Sequence, residues 1–372
     1  MPEALPLADV HRAEGARIEE IAGWSLAADY GDAAAEHRAA MQAAGVADRS
    51  HLGTAVVTGR DRAAFLQGML SNDVKALGPG QGCPAAFLDA HGKVMALLHV
   101  YALEDRLLLE FPPGLTAKTL ERLDRFLISE KAYFEATDGA HAIFALAGPR
   151  SAAILAEVTG GAIALADHAH AERVIADAPV RIIRRAEAPV AGFYCWTPVA
   201  HGAAVWTALR AAGAAAVGAT AVDVLRVEAG VPWFGQDVDE TVLLPETRLE
   251  HLVSYTKGCY IGQELVARVK YRGHVNRALG GLVIEGDGIP PPGARVTGAD
   301  DKERGSAGAM SGPPQMATGR ITSAVRSLTL GKTIALGYLR REHLEPGTPL
   351  LVVAGERRWH ARAAALPFVQ LA

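Results

Sequence analysis

One stretch of the chain combines residue types that could do chemistry directly. Lys257-Gly258-Cys259-Tyr260-Ile261-Gly262-Gln263-Glu264 sets a cysteine beside a lysine, among glycines, just ahead of a predicted helix. A thiol near a cation and near the unpaired N–H groups of a helix start ionises more readily, because both stabilise the thiolate. Cys259 is therefore a candidate nucleophile, with Lys257 as its cation. The competing reading is a small buried hydrophobe in a glycine-rich turn, the common fate of a lone cysteine. A second constellation is Arg226-Val227-Glu228-Ala229-Gly230-Val231-Pro232, where glycine and then proline end a predicted helix beside Glu228. A carboxylate there either accepts paired N–H bonds from a ligand or stays solvated. A third is Ser71-Asn72-Asp73, polar groups that either satisfy backbone carbonyls and turn the chain or face a ligand.

The elements that must position these residues follow from periodicity. Thr54 to Thr58 predicts a strand, and the helix after Gly59 puts Phe65, Leu66, Met69 and Leu70 on one apolar face, ending at Asn72. Ala85 to Leu88 and Val94 to Tyr101 flank a polar, glycine-containing turn and predict a hairpin. Leu107 to Phe111, a helix from Leu115 to Ile128, and strands at Lys131 to Ala136 and Ala142 to Ala147 continue an α+β pattern. Further helices are predicted at Ser151 to Val158 and Ala221 to Glu228. From Arg277 the chain reads as short strands with Gly and Pro turns, which predicts a small barrel. Within it, 298–317 is rich in Gly, Ser, Pro and charge and predicts a mobile loop.

Composition narrows the function classes. A length of 372 residues, half of them hydrophobic, suits several cores in a soluble protein. The formal charge of −4 argues against a nucleic-acid partner held by general electrostatics. Met1 to Val10 lacks the pattern of a secretory signal, and no apolar run is long enough for a membrane helix. Three scattered cysteines, Cys83, Cys195 and Cys259, suit a reducing compartment, so a cytoplasmic location is expected. No C-x-x-C pair points to a stably bound metal or cluster.

The run from Lys257 to Glu264, continuing through Arg268, Lys270 and Arg272, resembles the YgfZ branch of the GcvT-like folate-binding proteins, whose signature is K-G-C-Y-x-G-Q-E followed by a basic helix. The segment from Arg226 to Asp237 is similar to the aminomethyltransferase run R-x-E-x-G-x-x-x-(Y/F)-G-x-D. Gly319 to Ser323 with Leu330 to Tyr338 resembles the family's barrel domain. The resemblance runs from about residue 45 to the end and is loose before that.

The resemblance implies a three-module α+β GcvT-like folate-binding fold with a C-terminal antiparallel β-barrel. Its modules would be 1–50 with 140–245, then 51–139, then a motif segment and helix at 246–276, and a barrel at 277–372. It implies tetrahydrofolate, or a one-carbon derivative, as the bound molecule. Glu228 would take the pterin edge, Asn72 would line the cavity, and Arg226, Tyr260 and Gln263 would be further binding residues. Cys259 and Lys257 would be the catalytic pair. The implied function is assembly, maturation or repair of iron–sulfur proteins, with assembly proteins or client enzymes as partners. The alternative is a folate-dependent one-carbon transferase.

One departure bears on that choice. The aminomethyltransferases carry an acidic pair in G-G-(V/I)-x-D-D, where this chain reads Gly92-Lys93-Val94-Met95-Ala96-Leu97, so glycine-cleavage-type activity is expected to be absent. The basic residues Arg268, Lys270 and Arg272 suit either an acidic ligand or a solvated helix face. His168 and His170 sit two apart, as strand-borne metal ligands would, though surface histidines at that spacing more often bind nothing.

Overall fold

The computed structural model describes residues 2–186, 189–299 and 319–370. In chain order the first elements are β1 (Glu3–Ala4), α1 (Ala8–Ala13), β2 (Arg17–Ile21), β3 (Trp24–Asp29), α2 (Ala33–Gln42), β4 (Gly45–Asp48), β5 (Gly53–Thr58) and α3 (Arg62–Met69). They are followed by β6 (Gly82–Leu88), β7 (Val94–Ala102), β8 (Leu107–Phe111), α4 (Thr116–Asp124), β9 (Tyr133–Ala136) and β10 (His141–Ala147). Next come α5 (Ser151–Thr159), β11 (His170–Ile175), β12 (Ala178–Arg184), β13 (Gly192–Pro198), α6 (Gly202–Ala211), β14 (Ala215–Ala216) and α7 (Ala219–Glu228). After 3-10 turns at Leu244–Glu246 and Glu250–Leu252, α8 (Gln263–Arg272) leads to β15 (Arg277–Ile284), β16 (Arg295–Gly298), β17 (Gly319–Arg326), β18 (Thr333–Arg340), β19 (Pro349–Ala354) and β20 (Arg357–Ala364).

The chain divides into two compact units. One holds Met1–Val222 with His251–Gln263, the other Asp223–Glu250 with Glu264–Ala372. The first unit contains a six-stranded sheet ordered β11-β12-β13-β10-β4-β14, a five-stranded sheet ordered β6-β7-β8-β5-β9, and a small sheet of β1, β3 and β2. Each larger sheet has its own apolar core. One gathers Phe144, Ile182, Phe193 and Trp206, the other Leu66, Phe87, Leu98 and Leu109. Tyr101, Leu108, Ile143, Ile183, Tyr194 and Trp196 form a further apolar cluster drawn from strands of both sheets.

Period-two alternation along β7 decides what faces where. Ala96, Leu98 and Val100 enter the core of the five-stranded sheet, so Leu97, His99 and Tyr101 point to its other face. The hairpin of β6 and β7 pairs antiparallel with a bulge at Phe87/Leu88, and β7 pairs with β8 so that His99 lies opposite Glu110.

In the second unit six strands close a barrel in the order β15-β18-β17-β16-β19-β20, every pairing antiparallel. Helix α7 stops as its sequence requires. Gly230 takes φ +70°, and the N–H groups of Gly230 and Val231 return to the carbonyls of Val227 and Arg226. Of the predicted mobile loop at 298–317, only 298 and 299 fall within the described residues. No helix among the described residues is long and apolar enough to cross a membrane.

Candidate functional site

The segment preceding α8 belongs to the first unit and is tied to the end of α3. The Lys257 ammonium donates to the carbonyls of Gln67 at 2.6 Å, Leu70 at 2.5 Å and Asn72 at 3.0 Å. Helix ends leave carbonyls without intrahelical partners, and a cation placed there satisfies both the carbonyls and the helix dipole. Lys257 is buried, and burial pulls its ammonium down to about 8 against the opposing pull of Asp73 and Cys83. The expected use of Lys257 as the cation beside Cys259 is thus not what its partners describe: the thiol that feels its charge is Cys83. Burial nevertheless pushes the Cys83 thiol up to about 12. Cys259 itself is exposed. Tyr260 lies buried under the Lys257 ammonium, which sits 4.9 Å from its ring centre. Burial raises its phenol to about 12.

Gly262 must be glycine. Its φ is +80°, and a Cβ there would lie 2.5 Å from the Asp89 carbonyl oxygen. The close approach seats the motif against the end of β6. Gln263 begins α8, its backbone N–H donating to the Tyr260 carbonyl at 3.2 Å.

Asn72 and its neighbours hold the same region. The Asn72 amide donates to the Pro84 carbonyl at 2.7 Å and its oxygen accepts from Asp73 N–H at 2.9 Å. Ser71 Oγ donates to Leu252 at 2.6 Å and accepts from Ala86 N–H at 2.8 Å. Lys257, Asn72, Tyr260, Cys259 and Gln263 therefore come together in the first unit.

In the second unit Glu228 is fully buried. Its carboxylate accepts from Ser327 Oγ at 2.5 Å, Thr329 N–H at 3.0 Å and Thr329 Oγ at 3.0 Å, all in the turn between β17 and β18. The predicted ligand carboxylate thus has partners of its own within the protein. Arg226, predicted as a binding residue, is also fully buried. Its guanidinium donates to Asp223 at 2.8 Å, to Ser323 at 2.8 Å and to Asp237, and lies 4.8 Å from the centre of the Trp233 ring. Asp237 in turn accepts from the hydroxyls of Thr322 and Ser323, each at 2.6 Å.

A further polar cluster in the first unit was not singled out by sequence reasoning. Arg185, just after β12, donates to Glu110 on β8 at 2.7 Å and to the Tyr101 hydroxyl at 2.9 Å, and stacks 3.6 Å from the centre of the Tyr194 ring. His99 Nδ1 stands 3.7 Å from the same Glu110 oxygen, and its ring centre is 5.5 Å from that of His168. Burial, with the nearby Arg185, His168 and His251, holds His99 well below the ordinary histidine range, as a neutral imidazole. The sequence signal available was a charged residue inside Leu107-Leu108-Leu109-Glu110-Phe111 and a histidine inside an equally apolar β7. His168 and His170 do not act as a pair: His170 bonds the Ala102 carbonyl and Arg181. Among the described residues no group of three or more His, Cys, Asp or Glu could hold a metal ion.

Two larger α+β sheets and a closed antiparallel barrel define a protein of the GcvT-like folate-binding class. The family model described as the GCVT N-terminal domain matches residues 7–257, and that of the glycine cleavage T-protein C-terminal barrel domain matches 277–370. The aminomethyltransferase of Streptomyces coelicolor is 30% identical over 350 residues, covering 91% of this chain and 89% of its own. That of Rubrobacter xylanophilus is 31% identical over 366 residues, covering 98% and 93%. The crystal structure of glycine cleavage system aminomethyltransferase T from Bartonella henselae superposes with a TM-score of 0.87 over 100% of this chain and 99% of that one, at 23% identity, which speaks to the fold. The chain belongs to the glycine cleavage T-protein family.

These findings correct three expectations. Assignment to the YgfZ branch does not stand, because relatives matched along nearly the whole chain are aminomethyltransferases. The iron–sulfur function and its partner proteins fall with it. The expected absence of glycine-cleavage-type activity is likewise overturned by those relatives. Ala96 points into the apolar core, whereas the face carrying Leu97 also carries His99. Lack of the acidic pair therefore leaves that face with a titratable group.

Proposed function

We propose that the protein is a folate-dependent aminomethyl, or one-carbon, transferase that acts in the cytoplasm with tetrahydrofolate or a one-carbon derivative. The observation that carries this reading is the match to named aminomethyltransferases over nearly the full length of both partners. A match confined to the barrel or to one sheet would speak only for architecture. In this reading Glu228 is the acceptor for the amino-pyrimidinone edge of a pterin, a role that requires donors of the ligand to take over bonds now made by Ser327 and Thr329.

The test is a reconstituted assay in which an aminomethyl donor and tetrahydrofolate are supplied and methylene-folate formation is followed with and without the protein. Catalytic turnover that depends on both is the expected result. No turnover, from protein that unfolds cooperatively, would sink the reading. Calorimetric titration of tetrahydrofolate into Glu228→Gln then judges the residue assignment, with at least tenfold weaker binding expected.

A further inference from the structure

Glu228 has no exposed surface, yet residues 328–332, in the turn whose groups bond its carboxylate, are all exposed. The cover over the carboxylate is therefore thin. Within that turn Thr329 serves both carboxylate oxygens: its N–H donates to Oε1 and its hydroxyl to Oε2, each at 3.0 Å. Two neighbouring donors, one for each oxygen, form the pattern that the amino-pyrimidinone edge of a pterin presents to a carboxylate. Ser327 adds a bond to Oε1 but is itself buried, at the foot of the turn.

Which side of this contact yields follows from what holds each. Glu228 ends α7, whose last turn is pinned. Arg226 bonds Asp237 and Ser323, Gly230 and Val231 close the helix, and the Val369 N–H donates to the Glu228 carbonyl at 3.0 Å. Residues 328–331, in contrast, belong to a turn closed by short-range bonds of its own. The Ser327 N–H donates to the Lys332 carbonyl at 2.8 Å, the Gly331 N–H to the Ser327 carbonyl at 3.0 Å, and the Leu330 N–H to Ser327 Oγ at 2.9 Å. Leu328 and Leu330, on either side of Thr329, are 41% and 40% exposed, so lifting the turn uncovers little apolar area. The strands below stay joined, with Arg326 paired to Thr333 and Val325 to Ile334. A segment with so little buried apolar surface opens locally at low cost.

We propose that Thr329 is an internal stand-in for the pterin edge, and that residues 328–331 form a flap that lifts from Glu228 as tetrahydrofolate binds. The inference rests on the assignment of Glu228 as the pterin acceptor. A ligand reaches the carboxylate only by displacing the two Thr329 bonds, so its apparent affinity is the intrinsic affinity reduced by the fraction of protein with the flap open. The flap thus sets folate affinity without contributing a contact to the bound ligand.

The experiment joins hydrogen exchange at the Thr329 amide, whose protection reports its bond to Glu228 directly, with calorimetric titration of tetrahydrofolate. In the ligand-free protein Thr329 should exchange by local opening, at least tenfold faster than the paired amides of β17 and β18. Saturating tetrahydrofolate should quicken it a further tenfold or more, the reverse of the slowing that a ligand ordinarily causes at its own site. Thr329→Val keeps the shape and removes the hydroxyl donor. It should bind tetrahydrofolate about tenfold more tightly than wild type, because only the closed flap loses a bond.

Thr329 exchange that matches the barrel strands, and so requires global unfolding, overturns the proposal. Folate bound by wild type with Thr329 exchange slowed or unchanged overturns it as well and leaves the pterin reading standing. Weaker binding by Thr329→Val than by wild type also counts against the flap. Absence of binding by both proteins, each unfolding cooperatively, overturns the pterin reading and removes the flap's ligand with it. Should Thr329→Val fail to fold, exchange in the wild-type protein decides alone.

Discussion

Arg226 and Asp237 form a fully buried ion pair in the second unit, joining the last turn of α7 to the segment after Trp233 and, through Ser323, to β17. Two residues that the sequence motif presents as part of a ligand run thus hold the barrel unit together.

Breaking that pair on one side should be severe. Asp237→Asn leaves a buried guanidinium with Asp223 as its remaining carboxylate and removes the anion that gathers Thr322 and Ser323. Loss of about 3–5 kcal/mol is expected, measured by urea unfolding followed through tryptophan fluorescence. A volume-matched Arg226→Met with Asp237→Leu should recover much of the loss. An Asp237→Asn midpoint equal to wild type would contradict the account.

Lys257 makes a pH-dependent contribution whose sign can be worked out. Its folded value of about 8 lies below the ordinary 10.5, so between these limits the unfolded chain binds the proton that the folded chain has released. Stability from this residue therefore rises with pH from about 8 to 10.5. Cys83 and Cys195, pushed up to about 12, act in the opposite direction over part of that range, so the measurement is the difference between wild type and Lys257→Met. The difference should grow in favour of wild type as pH rises. A difference that is flat from pH 8 to 10.5 would refute it.

The three thiols should separate cleanly. Cys259 is exposed, whereas burial holds Cys83 and Cys195 protonated far above neutrality. Titration with a chromogenic disulfide at pH 8 should label one thiol rapidly in the folded protein and three after denaturation. Cys259→Ser should remove the rapid phase, and a rapid phase that survives would place the reactive thiol elsewhere.

Gly262→Ala should loosen the motif segment without unfolding the unit. The substitution combines a φ of +80° with a Cβ 2.5 Å from the Asp89 oxygen and 2.9 Å from Leu88 Cβ. A cost of about 1–3 kcal/mol is expected from the backbone conformation, with more from the clash. Hydrogen exchange at the Ile261 amide, which donates to the Gly68 carbonyl at 3.1 Å, should quicken at least tenfold while the barrel strands stay protected. Unchanged exchange at Ile261 would show that the glycine is dispensable.

Much of the scaffold was legible because short-range rules decide it. The hairpin of β6 and β7, the end of α7 at Gly230 and the barrel strands appear where alternation and turn residues put them. The side-chain partners were not legible, because they are brought together by topology. Lys257 meets carbonyls 185 to 190 residues earlier, Glu228 meets a turn about 100 residues later, and Arg185 reaches Glu110 from the other large sheet. The motif around Cys259 misled in a related way. A run of eight residues suggested a branch, whereas the affinity of the chain is carried by the several hundred residues around it.

The return of residues 251–263 to the first unit has a consequence for how the chain is made. Emerging from the ribosome, the first 222 residues would carry both large sheets but leave the end of α3 without the Lys257 ammonium that closes it. The chain must first deliver the 28 residues of 223–250, which belong to the other unit, before that clasp arrives. Neither unit can be released by a single cut, and the earlier one waits for the later to begin.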